Sequence, residues 1–141
     1  MDPGELDRVY SKLRMLTSQS KEDDFLSVQT YASFFRVLFN ATYLSREASE
    51  WALDLLSKSE FRAGLAAGAP PGILVSHKFG EHSDANSGEV QLHDCGIIYY
   101  PQNPYLLCIM SKGANLEFLN DVISEVSHMT YAEITLQKGR L

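Results

Sequence analysis

The hydrophobic pattern of the chain changes at Ile73, and this change constrains the fold more than any other feature. Before it, apolar residues recur every three or four positions, which is typical of amphipathic helices. After it, 92–100 and 105–110 are almost continuously apolar, which is typical of strands that are covered on both faces. A Gly- and Pro-rich connector at 64–72 separates the two halves. The sequence therefore predicts an α+β domain.

The first half predicts helices. Glu5 to Leu16 has helical spacing, Ser27 can cap a second helix and Ser45 a third, so that two helices share 27–58. Two sets of residues form their predicted apolar faces: Val28, Tyr31, Phe34, Phe35, Leu38 and Phe39, then Ala48, Trp51, Ala52, Leu55 and Leu56. We interpret 1–24 as an N-terminal helix with a polar linker and 25–141 as one partial domain.

The second half predicts strands at 73–81, 92–100 and 105–111, joined as an antiparallel meander, and a closing helix at 115–130. Cys95 and Cys108 both lie in these strands. We expect buried free thiols in preference to a disulfide, because a free cysteine behaves as a small apolar residue in protein cores.

Composition excludes several classes of function. A length of 141 residues with 45% hydrophobic residues fits one domain with a core. The net charge of −6 argues against nucleic acid as the main partner, because phosphate binding needs a basic surface. No apolar run approaches the roughly 20 residues of a membrane span. Met1 to Glu5 does not resemble a signal peptide, so these residues leave the compartment unknown.

Two short motifs resemble an enzyme family. Lys78-Phe79-Gly80 near the end of one strand, followed by His93-Asp94-Cys95-Gly96 in the next, is similar to the Lys-Thr-Gly region of serine β-lactamases (class A-like) and penicillin-binding proteins. The helix pair, the Pro-Gly turn, the strand at Tyr105 and the final helix occur in the family's order. The resemblance implies a partial β-lactamase/transpeptidase-like fold, the C-terminal portion of a serine hydrolase.

The resemblance also implies roles for four residues. Lys78 matches the lysine that supports proton transfer and attracts the substrate carboxylate. Gly80 matches the glycine against which substrate lies, and the backbone N–H of Glu81 matches one of the two oxyanion donors. Phe79 departs from the usual Thr or Ser, so the hydroxyl for the substrate carboxylate is absent, although a large aromatic is still compatible with a pocket wall.

The family nucleophile, a Ser-x-x-Lys that opens a buried helix, has no convincing match. Ser18-x-x-Lys21 matches this motif, but it lies in a polar segment, and the family's helical region does not fit between it and Lys78. We interpret it as a linker. The segment 83–86 is similar to the family's Ser-Asp-Asn, but it follows the lysine strand, whereas the family motif precedes it. We interpret it as a turn. We expect this chain alone to be non-catalytic, as a fragment or a naturally truncated relative.

Other sites are weaker hypotheses. His77, His82 and His93 with Asp84 or Asp94 lack metal-binding spacing, so we expect no metal and no cofactor. The alternatives are a binding or scaffold module whose groove near Lys78 takes an anionic peptide or cell-wall fragment, and an unrelated α+β interaction domain.

Partners follow from the same reasoning. In the complete protein the family implies a β-lactam or peptidoglycan-like ligand and work outside the cytoplasm. The apolar strand 105–110 predicts an unpaired edge, and therefore a homodimer or domain-swapped assembly through it; packing of the helix at Glu5 to Leu16 into the gap is the alternative.

Overall fold

The structure, a computed structural model, describes residues 27–140 together with Gly4, Arg8 and Ser11, which are helical and exposed. The rest of the helix predicted at 5–16 and the polar linker lie outside the described residues, and the division at residue 24 stays a prediction. In the described part the elements are α1 (Val28–Phe39), α2 (Arg46–Ser57), α3 (Leu65–Gly68), β1 (Val75–Ser83), β2 (Val90–Ile98), β3 (Tyr105–Gly113) and α4 (Leu116–Lys138).

The three strands form one antiparallel sheet in the order β1-β2-β3. Its register places Lys78 opposite Cys95, and Cys95 opposite Cys108. Gly80 lies opposite His93. The predicted α+β class with a three-stranded antiparallel meander is confirmed.

Helices cover both faces of the sheet. On one face Leu65 of α3 and Ile123 of α4 pack with Val75, Leu92 and Ile98 of the strands. On the other face α1 packs on β2 and β3, and α2 packs on β1 and on α1; Phe35, Leu53, Cys95 and Ile97 form the core there. Because β2 contributes to both clusters, its sequence is apolar on both faces.

Polar side chains start the long helices. The Ser27 hydroxyl accepts the Thr30 N–H at 3.1 Å, and the Ser45 hydroxyl accepts the Ala48 N–H at 3.2 Å, as predicted. The Asn115 side chain caps α4 in the same way. Each cap satisfies a backbone donor that the first helical turn leaves without a partner.

The closing helix α4 continues well beyond residue 130 because its last turns have contacts. The Tyr131 ring lies 5.0 Å from the ring of Tyr100, and the Lys138 ammonium lies 4.7 Å from the Tyr100 ring centre. Among the described residues, no helix is both long and apolar enough to cross a membrane.

The apolar face predicted for α2 is wrong at two positions, although Leu56 packs on the core as predicted. Trp51 is 66% exposed and Leu55 is 56% exposed, whereas Leu53 is buried between Ser49 and Ser57. The two serines are small enough for α2 to lie close to the sheet, where the Ser76 hydroxyl donates to the Leu53 carbonyl at 2.7 Å. Helical spacing alone cannot separate this polar contact face from a solvated one.

The expectation of free thiols is also wrong. Cys95 and Cys108 face each other across β2 and β3 and form a disulfide. Their pairing depends on the register of the two strands, which the sequence does not show. The bond joins the central strand to β3 below α1.

Replacing both cysteines by alanine should lower the free energy of unfolding by about 3 kcal/mol, because the crosslink restricts the unfolded chain over a separation of 13 residues. Urea unfolding of the oxidised protein and of C95A/C108A measures this difference. A reductant should destabilise the parent and leave the double variant unchanged. Two free thiols in the mass spectrum of the unreduced protein would contradict the bond.

Candidate functional site

The residues that the sequence singled out lie together in β1. Lys78, Phe79, Gly80 and Glu81 are consecutive there, and in the described part of the chain β1 pairs only with β2. Phe79 packs on the α3–α4 side of the sheet. Because side chains alternate along a strand, Lys78 and Gly80 face the α1–α2 side.

The Lys78 side chain is exposed and available to an anion. Its ammonium group donates to the Phe79 carbonyl and lies 4.7 Å from the centre of the Phe79 ring. None of the ion pairs among the described residues includes it. The other exposed strand lysine, Lys112, is by contrast paired with Glu89 at 2.8 Å.

The backbone at Lys78 is held from α1. The Tyr31 hydroxyl donates to the Lys78 carbonyl at 2.6 Å. Burial raises the pKa of Tyr31 to about 12, and the negative charge of Asp94 adds to the increase. The sequence marked Tyr31 only as part of an apolar helix face, so its contact with the lysine strand was not predicted.

Gly80 leaves open space beside the strand. A Cβ atom built at this position would have no neighbour within 4 Å, so the fold itself does not require glycine here. A ligand can therefore approach the backbone at Gly80 closely. Glu81 follows directly and is exposed.

Phe79 takes the place of a hydroxyl residue and packs on another aromatic side chain. Its ring stacks on Phe61, with ring centres 4.0 Å apart and planes 15° from parallel. The ring is thus fixed against Phe61, and it makes a cation–π contact with the Lys78 ammonium.

The histidines and acids that had suggested a metal site do not converge. No group of three or more His, Cys, Asp or Glu side chains that could hold a metal occurs among the residues described. His77 and Asp94 do meet, as a fully buried pair with Nδ1 2.9 Å from Oδ1. His93 lies elsewhere, opposite Gly80, and burial lowers its pKa.

The loop after β1 is the predicted turn. The Asp84 carboxylate accepts the Asn86 N–H at 2.8 Å and the Ser87 hydroxyl at 2.9 Å. These hydrogen bonds lower the pKa of Asp84. Gly88 closes the turn with a φ of +70°, which glycine adopts without steric cost.

A family model described as the beta-lactamase enzyme family matches residues 5–134. The chain belongs to this family. No curated protein matches it. The sequence interpretation of a partial domain of the β-lactamase and penicillin-binding-protein type is confirmed.

Solved structures share the fold at low sequence identity. The structure of PBP-A is 19% identical with a TM-score of 0.74, and the match covers 94% of this chain and 51% of that one. A β-lactamase from Chitinophaga pinensis is 17% identical with a TM-score of 0.77, covering 93% and 55%. A mutant of PBP-A, solved as an acyl-enzyme complex with penicillin G, has a TM-score of 0.71 at 19% identity, covering 94% and 51%. This β-lactamase-family chain thus spans about half the length of these structures.

We predict that folding stability falls as the pH rises from about 10 to about 12. The folded state keeps the Tyr31 phenol protonated over this window, since its pKa is raised above that of an unfolded tyrosine. Burial raises the pKa of Tyr105 to about 12 as well. Tyr31→Phe should therefore weaken the dependence of stability on pH without abolishing it. At neutral pH it should lower the free energy of unfolding by about 1 kcal/mol through the lost hydrogen bond.

Urea unfolding from pH 7 to 12, together with tyrosinate absorbance, measures both effects. Tyr43→Phe is the matched control, since Tyr43 is 41% exposed. If the free energy of unfolding falls with pH in the same way for Tyr31→Phe and the parent, the raised pKa of Tyr31 is contradicted.

Proposed function

We propose that these 141 residues form the Lys-x-Gly wall of a serine acyl-transfer site and do not form an acyl-enzyme by themselves. One observation carries the proposal: on one face of β1, the exposed Lys78 side chain lies outside the ion pairs of the described residues, beside open space at Gly80. A cation next to a strand that a ligand can approach suits a carboxylate-bearing acyl substrate.

Each residue has a part in the proposed chemistry. In a complete site the nucleophilic serine hydroxyl loses its proton and attacks the acyl carbonyl, and the leaving amine takes up a proton as the serine ester forms. The Lys78 ammonium binds the substrate carboxylate and lowers the cost of proton transfer. The Glu81 N–H donates to the developing oxyanion. Water then hydrolyses the ester, or an amine accepts the acyl group.

The nucleophile is the part that these residues do not supply. Ser18-x-x-Lys21 is the one match to Ser-x-x-Lys in the sequence, and acidic residues at 22–24 follow it. It lies outside the described residues.

A fluorescent penicillin provides the first test. We expect no covalent label on the purified chain after denaturation, because oxyanion donors without a nucleophile cannot form the ester. Ser18→Ala is the matched variant, and a serine penicillin-binding protein is the positive control. A label that survives denaturation and maps to any serine would overturn the non-catalytic part of the proposal, and its loss in Ser18→Ala would identify the nucleophile.

A second candidate is a binding module that uses the same wall without chemistry. The exposure of Lys78, which takes part in none of the ion pairs of the described residues, favours it. Reversible binding of a penicillin or a peptidoglycan-like peptide with a free carboxylate should weaken about tenfold in Lys78→Ala, the effect of one charge-assisted contact. Lys112→Ala is the matched control, since its ammonium is paired with Glu89. Equal affinities for the two variants, measured by calorimetry, would contradict a Lys78 site.

The proposed compartment is extracytoplasmic, as is general in the family. The disulfide between Cys95 and Cys108 supports this, because such bonds persist in oxidising compartments. A β-lactam or a peptidoglycan-like peptide is the proposed ligand of the complete site.

We also propose self-association through β3. In the described part of the chain this strand pairs only with β2, and its side chains are half-buried, with Lys112 exposed. A groove of about 200 Å³ beside its start is lined by Phe35, Arg36, Phe39, Ile97, Pro104, Tyr105 and Leu106. An apolar strand edge next to an apolar groove favours pairing with a second copy.

Light scattering across a concentration series tests this proposal. We expect the mass to rise toward that of a dimer, and Leu106→Lys to shift the equilibrium toward monomer, since it places a charge in the groove. Trp51→Lys, an exposed apolar residue on α2, is the control and should leave the mass unchanged. A parent protein that stays monomeric at every concentration would rule out the dimer.

A further inference from the structure

His77 and Asp94 are the centre of a buried polar network that joins four elements. The Nδ1 atom of His77 on β1 lies 2.9 and 3.1 Å from the two carboxylate oxygens of Asp94 on β2. Asp94 Oδ2 also accepts the Leu65 N–H of α3 at 2.9 Å. The Leu65 carbonyl in turn accepts the Ser127 hydroxyl of α4 at 3.0 Å. All four residues are at most 1% exposed.

Three glycines give this network the space that it occupies. A Cβ at Gly96 would lie 2.5 Å from the His77 Cβ, and one at Gly64 would lie 2.6 Å from Asp94 Oδ2. At Gly68 a Cβ would lie 2.5 Å from the Ser127 Cβ. Because real Cβ contacts are longer than this, larger residues at these positions would displace members of the network.

We propose that His77 and Asp94 are positioning residues for the Lys78 wall, an inference that rests on the proposed function of that wall. Lys78 is the next residue after His77, so its position along and across the sheet is set by the His77–Asp94 bond. The two side chains are fully buried. They therefore do not touch a ligand but act through the backbone of β1.

The opposite side of the strand carries a complementary contact. The Tyr31 hydroxyl of α1 holds the Lys78 carbonyl. Adjacent residues of β1 are thus fixed by groups on opposite faces of the sheet, Asp94 on one and Tyr31 on the other. Beyond this point Glu81, His82 and Ser83 are exposed. Side-chain contacts thus fix β1 at His77 and Lys78, and from Phe79 to Ser83 the strand continues in its pairing with β2 past the open space at Gly80.

The surroundings also determine which imidazole nitrogen carries the proton. Nε2 of His77 is buried and has no hydrogen-bond partner among the described residues. A proton on Nε2 would be a buried donor without an acceptor, which is costly. The Nδ1–H tautomer instead donates to the Asp94 carboxylate, which also accepts from Leu65.

Three variants separate positioning from general stability. His77→Leu removes the donor and keeps the volume approximately. His77→Asn keeps a donor close to the Nδ1 position and should rescue the contact. Val75→Ala is the matched control, a buried apolar residue of the same strand outside the network. A further variant, Asp94→Asn, tests which nitrogen of His77 carries the proton, since its side-chain carbonyl still accepts from Leu65 while its NH₂ group faces His77.

Amide hydrogen exchange of Lys78 to Glu81, referred to the exchange of β3 amides, is the readout. We expect His77→Leu to raise the ratio of β1 to β3 exchange rates tenfold or more, because a hydrogen bond to a charged group is lost. His77→Asn and Val75→Ala should leave this ratio within about twofold of the parent's. If His77→Leu does not fold, nitrogen NMR of the imidazole in the parent and in Asp94→Asn gives an independent result. The parent should be protonated on Nδ1, and Asp94→Asn should switch the proton to Nε2.

Two results would overturn the inference: an unchanged exchange ratio in folded His77→Leu, or an Nε2 proton in the parent. Neither measurement contains a ligand. Failure of the proposed function, such as equal ligand affinities for Lys78→Ala and Lys112→Ala, is therefore distinguishable from failure of the positioning role.

Discussion

Two polar side chains meet at the centre of the sheet, where His77 of β1 donates to the Asp94 carboxylate of β2 without access to water. Removing one partner leaves the other buried without a hydrogen bond, which typically costs about 1–3 kcal/mol and more for a charged group. Asp94 also fixes the start of α3 through Leu65, and Leu65 is tied to α4 through Ser127. One carboxylate thus adds a polar link between the sheet and the helices on that face to the apolar packing of Leu65 and Ile123.

The same pair explains why two separate motifs occur together. The two motifs, His-Lys-x-Gly on β1 and His-Asp-x-Gly on β2, contact each other in the sheet. Asp94 accepts a hydrogen bond from His77, and Gly96 leaves space for the His77 side chain. Lys78 is placed on the other face, where Tyr31 holds its carbonyl. The structural and the proposed functional residues alternate along β1, as the strand period requires.

The sequence predicted the kinds of elements and their order because these depend on local periodicity. It did not predict contacts that depend on register. Cys95 and Cys108 were expected to be free, and the contact between His77 and Asp94 was not predicted, because each pair meets only after the strands align. The contact face of α2 was wrong in part for a related reason, since Ser49 and Ser57 look like surface residues until the sheet lies beside them. Tyr31 carried no signal beyond its helical spacing. Lys78 and Gly80 could be found only by family resemblance, since a lysine on an edge strand has an ordinary structural explanation.

We propose that β1 presents a carboxylate-binding wall and that these residues alone do not form the acyl-enzyme. A crystal structure of the chain soaked with a penicillin tests this claim most directly. We predict an intact β-lactam beside Gly80, with its carboxylate at the Lys78 ammonium and its carbonyl oxygen toward the Glu81 N–H. An ester between the opened lactam and a serine of this chain, or a ligand bound only away from β1, would contradict it.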